Sequence, residues 1–142
     1  MAQMTFNQAI YEALKAEMLR DPTIFIMGED LKSGLFGMGG TFMKDVGEER
    51  ILDTPISESA FMGAAVGAAA AGMRPVVQSL TSFVWVAMDQ IVSQAAKMRY
   101  MFGGQARLPI VYRFSILWGA RVAAHHSDRP NPMFMKIGRA HV

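Results

Sequence analysis

The sequence predicts an α/β fold, a three-layer, doubly wound and mostly parallel sheet. Three observations predict it. Short apolar runs, "TIFIMG", "RILDTP" and "RPVVQSL", recur along the chain, and a fourth follows the glycine turn in "GGQARLPIVYRF". Between them lie stretches with apolar residues at helical spacing, and strands alternating with helices argue for parallel pairing with helices on both faces. The 142 residues suffice for one domain with its own core, and 51% of them are hydrophobic against 18% charged.

Taken in order, Thr5-x-x-Gln8 has the form of a capping box, and Phe6, Ile10, Ala13, Leu14 and Met18 follow on one helical face. Asp21-Pro22 ends that helix. "TIFIMG" predicts a short strand buried on both faces, and "EDLKSGLFGMGGTF" a glycine-rich loop. Residues 42–49 are expected to form a short helix, and "RILDTP" a second strand stopped by Pro55. Ser57 to Gly72 predicts a helix, "RPVVQSL" a third strand, and Val84 to about Met101 a long helix before the fourth strand. In such sheets ligands bind beyond the carboxyl ends of the strands. The loops after Met27, Asp53, Leu80 and Arg113 therefore belong to one functional rim.

Composition removes several functions. The net charge of +2 comes from interspersed charges with no Lys/Arg run, so nucleic acid is not an expected partner. The uncharged runs Ser59–Met73 and Pro75–Met88 are too short to cross a bilayer, and the N-terminus has no signal-peptide character. Zero cysteines exclude disulfides and thiolate metal sites and fit a reducing compartment. Thirteen methionines and positive mean hydropathy fit either a well-filled core or a large buried subunit interface, and the interface is the sharper expectation.

The loop "GLFGMGG" matches neither G-x-G-x-x-G nor the P-loop pattern and reads as a mobile rim loop. The helix opened by Glu58 is more informative. Gly63 and Gly67 lie four apart with Ala64, Ala68 and Gly72 beside them, a pattern of small residues that lets another helix approach closely. A plain contact inside the domain would give the same pattern. Glu58 itself could be an ordinary first-turn charge favoured by the helix dipole.

Glu58 followed by Gly63 and Gly67, after "DTPISE", resembles the pyrimidine-binding domain of thiamine-diphosphate enzymes. "RPVVQSL…SFVWVAMDQIVSQAAKMRYMFGGQARLPIVYR" is similar to one branch, the beta subunits of the 2-oxo acid dehydrogenase decarboxylase component, pyruvate and acetoin dehydrogenases being nearest. The resemblance runs from about Met4 to about Met135. It implies that Glu58 hydrogen-bonds the aminopyrimidine ring of thiamine diphosphate and helps form its imino tautomer, work that needs a carboxyl held out of water. It implies that Phe83 stacks on the pyrimidine and Leu80 lines the same pocket. His126 matches the histidine of an "HS" pair that bonds the substrate carboxylate or donates a proton. Glu29 and Asp89 match acids lining a water-filled path between paired active sites. Without the resemblance, Phe83 would read as a core residue, the paired histidines as surface decoration, and Glu29 and Asp89 as loop and helix-start charges.

The resemblance further implies an alpha subunit that holds Mg²⁺ and the diphosphate, so that this chain carries no metal site. It implies a second beta subunit, a lipoyl acyltransferase core that receives the acyl group, and a small 2-oxo acid substrate, pyruvate first and acetoin as alternative. A non-catalytic assembly fragment is the rival from another class. Departures from the family pattern touch the substrate entrance. "QSLTSF" is one residue short, "RFSILWGARVAAHH" places Phe114, Ile116, Leu117 and Trp118 where a glycine-rich loop is usual, and His125 replaces a common glutamine. Family members are more than twice as long. Residues 1–136 are therefore expected to be an N-terminal pyrimidine-binding domain, truncated at its C-terminal end, with the C-terminal domain absent and the fragment alone inactive. The last six residues, "IGRAHV", are what ATC GGA AGA GCA CAC GTC encodes, a string resembling a sequencing-library adapter, and 137–142 are expected to be a non-native tail.

Overall fold

A computed structural model of the chain describes residues 3–34, 39–117, 119 and 122–137. The centre of the glycine loop, 35–38, lies outside the described residues, as do Trp118 and, apart from Ile137, the expected tail. Four strands, β1 (Ile24–Gly28), β2 (Ile51–Asp53), β3 (Arg74–Leu80) and β4 (Val111–Ser115), form one sheet in the order β2-β1-β3-β4, and every pairing is parallel. The α/β expectation holds, with helices on both faces.

The first helix, α1 (Phe6–Arg20), begins with the expected capping box. The Thr5 hydroxyl accepts from the Gln8 backbone N–H, and the Thr5 backbone N–H donates to Gln8 Oε1 at 2.8 Å. Its far end is fastened by Arg50. The guanidinium donates to the carbonyls of Met18 (2.8 Å), Asp21 (2.8 Å) and Ile24 (3.0 and 2.6 Å), joining the last turn of α1 to the first residue of β1. β1 is buried along its whole length. Its alternation sends Ile24 and Ile26 to one core with Met18, Leu31, Phe42, Val46, Ile51 and Val76, under α1 and α2 (Gly39–Val46). Phe25 and Met27 go to a second core with Phe61, Met62, Ala65, Val77, Val84 and Ile91.

That second core lies beneath α3 (Glu58–Ala70), which ends in a Schellman arrangement. Gly72, at φ +97°, donates to the Ala69 carbonyl, and Met73 donates to that of Ala68. β1 and β3 approach so closely at their carboxyl ends that a Cβ on Gly28 would lie 2.2 Å from the Gln78 carbonyl oxygen. No side chain fits there.

One expected element is corrected. Val84 to Met101 is not a single α-helix. Thr81–Ala87 forms a 3-10 helix, Gln90–Ala95 a π-helix, and only α4 (Met98–Met101) returns to α geometry. Val84, Val86, Ile91 and Val92 are β-branched and weak α-formers. The segment must also bury Val84, Ala87 and Ile91 while passing α3, where a Cβ on Gly63 would come within 3.3 Å of Gln90 Cγ. Beyond β4, Ala124–His126 form a 3-10 turn and Asn131–Lys136 form α5, whose Phe134 stacks on Phe114.

Candidate functional site

All four strands end on one rim, at Gly28, Asp53, Leu80 and Ser115. The loops leaving them are tied together. Lys32 N–H donates to Asp53 Oδ1 at 3.0 Å, and Thr54 N–H donates to the Gly28 carbonyl at 2.9 Å. Among the described residues, the buried side-chain polar atoms without a hydrogen-bond partner are Glu29 Oε1, Thr54 Oγ1, Ser79 Oγ and His126 Nδ1. Buried polar atoms are rarely left unpaired. Here each belongs to the rim: Glu29 follows β1, Thr54 follows β2, Ser79 is the penultimate residue of β3, and His126 lies in the segment after β4.

Glu58 is 6% exposed at the first position of α3, where the helix dipole favours negative charge. Glu29 faces it. Loss of water, then the charge of Glu58, then that of Asp30, together with hydrogen bonding to Glu58, push the Glu29 carboxyl up to about 7. The shift belongs to Glu29, which keeps its proton toward neutral pH because a second carboxyl lies against it.

The aromatic side of the rim comes from the 3-10 helix. Leu80, 6% exposed, ends β3, and Phe83 follows half-buried. The His126 ring meets Phe83 edge-on, with centroids 5.3 Å apart and planes at 76°. His125 tilts against His126 at 4.1 Å. Two loops that the sequence separates by more than forty residues thus share one wall. Ser59 Oγ donates to the Val86 carbonyl at 2.6 Å, linking the Glu58 helix to the same 3-10 helix.

The expected site residues therefore sort into groups. Glu29 and Glu58 come together, and Phe83 comes together with His126. Asp89 is exposed on the helical stretch beyond Phe83. Gly63 rests against Gln90 of its own chain, whereas a Cβ on Gly67 would meet open space. Thr54 and Ser79 escaped the sequence reading. Their one available signal was a hydroxyl at the carboxyl end of an apolar strand.

A parallel sheet flanked by helices, with a buried acid heading a Gly/Ala helix at the carboxyl ends of the strands, is of the doubly wound α/β class. The family model "Transketolase, pyrimidine binding domain" matches residues 2–142, and the chain belongs to that family. Among characterised proteins it is similar to the pyruvate dehydrogenase E1 component subunit beta of Rickettsia bellii, at 45% identity over 129 residues, covering 89% of this chain and 40% of that protein. It is also similar to the beta subunit of acetoin:2,6-dichlorophenolindophenol oxidoreductase from Cupriavidus necator, at 43% identity over 149 residues, covering 95% of this chain and 44% of the relative. The 2-oxoisovalerate dehydrogenase subunit beta of Bacillus subtilis is 39% identical over 137 residues, covering 94% of this chain and 42% of the relative. The chain thus spans about two-fifths of the length of these relatives. Among the described residues no helix is long and apolar enough to cross a membrane.

Proposed function

We propose that this chain is the pyrimidine-binding part of the beta subunit of a 2-oxo acid dehydrogenase, with pyruvate as substrate, and that it contributes half of a thiamine diphosphate site completed by an alpha subunit. The observation that supports this reading most directly is the buried Glu58, which begins a helix at the ligand rim and faces Glu29, a carboxyl that holds its proton up to about 7.

The side chains present fit an aminopyrimidine. Glu58 offers a carboxyl to a ring nitrogen, Phe83 a face to stack on, and Leu80 an apolar wall. Thiamine diphosphate, when bound, supplies the carbon nucleophile that decarboxylates a 2-oxo acid. Glu58 presents its carboxyl to the ring from a buried position, where a hydrogen bond is strengthened. Glu29, the carboxyl that keeps its proton toward neutral pH, lies next to it as the proton reserve, and Asp89 extends the path toward a paired site. His126, with Nδ1 buried and unpartnered, bonds the substrate carboxylate or holds the proton for the reacting oxygen. Mg²⁺ and the diphosphate belong to the alpha subunit in this reading. The acyl group leaves on a lipoyl acyltransferase.

The open side of α3 at Gly67, with Gly63 beside it, is the surface on which a second beta subunit packs. We place the assembly in the bacterial cytoplasm, and the 142 residues alone are inactive in this reading because the diphosphate half-site belongs to the partner. Acetoin is the alternative substrate, in keeping with the Cupriavidus relative's name.

The test is Glu58→Gln in the alpha/beta assembly. Pyruvate decarboxylation falls at least about 10²-fold, as for loss of a positioned acid–base group, while alpha–beta association by gel filtration is unchanged. Undiminished turnover would leave an assembly module as the correct description. Offering pyruvate, acetoin and a branched 2-oxo acid in turn identifies the substrate.

A further inference from the structure

The His126 ring makes one contact with Phe83 and one with its neighbour His125, and no described residue bonds its buried Nδ1. Something else must hold the segment that carries it. Two residues on, Asp128 is fastened twice to the 3-10 helix that bears Phe83. Trp85 Nε1–H donates to Asp128 Oδ2 at 3.0 Å, and the Asp128 backbone N–H donates to Ser82 Oγ at 3.3 Å. Within the segment, Ser127 Oγ donates to the Ala123 carbonyl at 2.7 Å and Ser127 N–H to that of Ala124 at 3.1 Å.

The local helix type makes this double attachment possible. With three residues per turn, Ser82 and Trp85 eclipse on one side of the 3-10 helix. In an α-helix they would be turned about 60° apart, since each residue advances about 100°. Phe83 points about a third of a turn away from them, free to take the edge of His126. A single aspartate thus bridges both eclipsed positions and presents the ring two residues before it to the adjacent aromatic.

We propose that Asp128, clamped between Trp85 and Ser82, is a positioning residue that sets the His126 ring against Phe83, and that Trp85 is its anchor. The clamp is a feature of this chain's own geometry, and its bearing on catalysis rests on the role given above to His126. The indole–carboxylate bond is charge-assisted but lies in a solvent-exposed place, so its importance is geometric more than energetic.

The experiment reads the clamp and the catalytic role separately. In ¹H–¹⁵N spectra of the chain, the Trp85 indole N–H is assigned by its loss in Trp85→Phe, Trp118 providing the other indole signal. The His126 ring protons carry a ring-current shift from Phe83. In Asp128→Ala the indole signal moves to its solvent-exposed position and the His126 ring-current shift is lost, and Trp85→Phe has the same effect on His126. In Asp128→Asn, which keeps an acceptor for the indole, both signatures remain. An unchanged His126 shift in both Asp128→Ala and Trp85→Phe overturns the proposal, as does its loss in Asp128→Asn with the indole bond intact. In the alpha/beta assembly, Asp128→Ala lowers kcat for pyruvate about tenfold, the scale of a sub-ångström to 1 Å misplacement, with thiamine diphosphate affinity changed less than about twofold. Normal turnover in a variant that has lost the His126–Phe83 contact supports the clamp and counts against His126 as a catalytic group.

Discussion

The corner where α1 meets β1 and the rim where the strands end are only a few residues apart in sequence, yet they treat polar groups in opposite ways. At the corner, Arg50 makes four hydrogen bonds to three carbonyls and Thr5 and Gln8 satisfy one another at the far end of α1. At the rim, Glu29, Thr54, Ser79 and His126 each keep a buried atom unpaired, and two carboxyls face each other. Polar groups at the corner lower the free energy of the fold, and polar groups at the rim raise it. The rim is tolerated because it is built for something other than stability.

Substitutions at three positions sharpen this contrast. The largest effect is expected at the point where the two regions meet. Gly28→Ala places a methyl 2.2 Å from the Gln78 carbonyl, and neither backbone can yield without breaking the β1–β3 pairing. The folded state should lose more than about 4 kcal/mol, read as loss of soluble protein or collapse of the urea transition. Arg50→Ala, at the corner, should cost about 3 kcal/mol, because it removes charge-assisted bonds and leaves half-buried carbonyls unpaired. Arg50→Lys should recover less than half, since an ammonium cannot span three carbonyls as the planar fork does. A urea midpoint for Arg50→Ala equal to the parent's would remove the corner from the comparison.

The smallest effect, of opposite sign, belongs to Glu29→Gln. The folded carboxyl titrates near 7 and the unfolded one near 4.5. Between those values the folded state binds more protons, so stability falls as pH rises from about 4.5 to about 7. Removing the titration should flatten that slope and raise the melting temperature by a few degrees at pH 8, with little change at pH 4. Parallel melting-temperature profiles for the two proteins across this range would show that Glu29 is not the strained group.

Much of the fold was legible because it is written in local patterns. "RPVVQSL" corresponds residue for residue to β3, and Thr5-x-x-Gln8 to the cap of α1. Residues 84–101 do not form the single helix that their spacing suggests, because helical spacing of apolar residues does not distinguish three, 3.6 and 4.4 residues per turn over a single turn. Glu58 stood out in sequence as a lone acid before a charge-free run, and resemblance supplied Phe83 and His126. Nothing local announced that Glu29 would face Glu58, or that Asp128 would reach Trp85. Those pairings depend on which loops the strand order brings side by side, and a pattern of period two or four carries no information about that. Thr54 and Ser79 were missed for the same reason.

The order β2-β1-β3-β4 has a consequence for synthesis. β1 leaves the ribosome before the other three described strands, yet it occupies the middle of the sheet, and its partners are Ile51–Asp53 and Arg74–Leu80. Ile24 to Met27 therefore emerge as an unpaired oily ribbon that must wait for both neighbours to be translated. Assembly is governed by distant contacts and is correspondingly slow. Until Leu80 has cleared the exit tunnel, that ribbon stays exposed and open to wrong contacts.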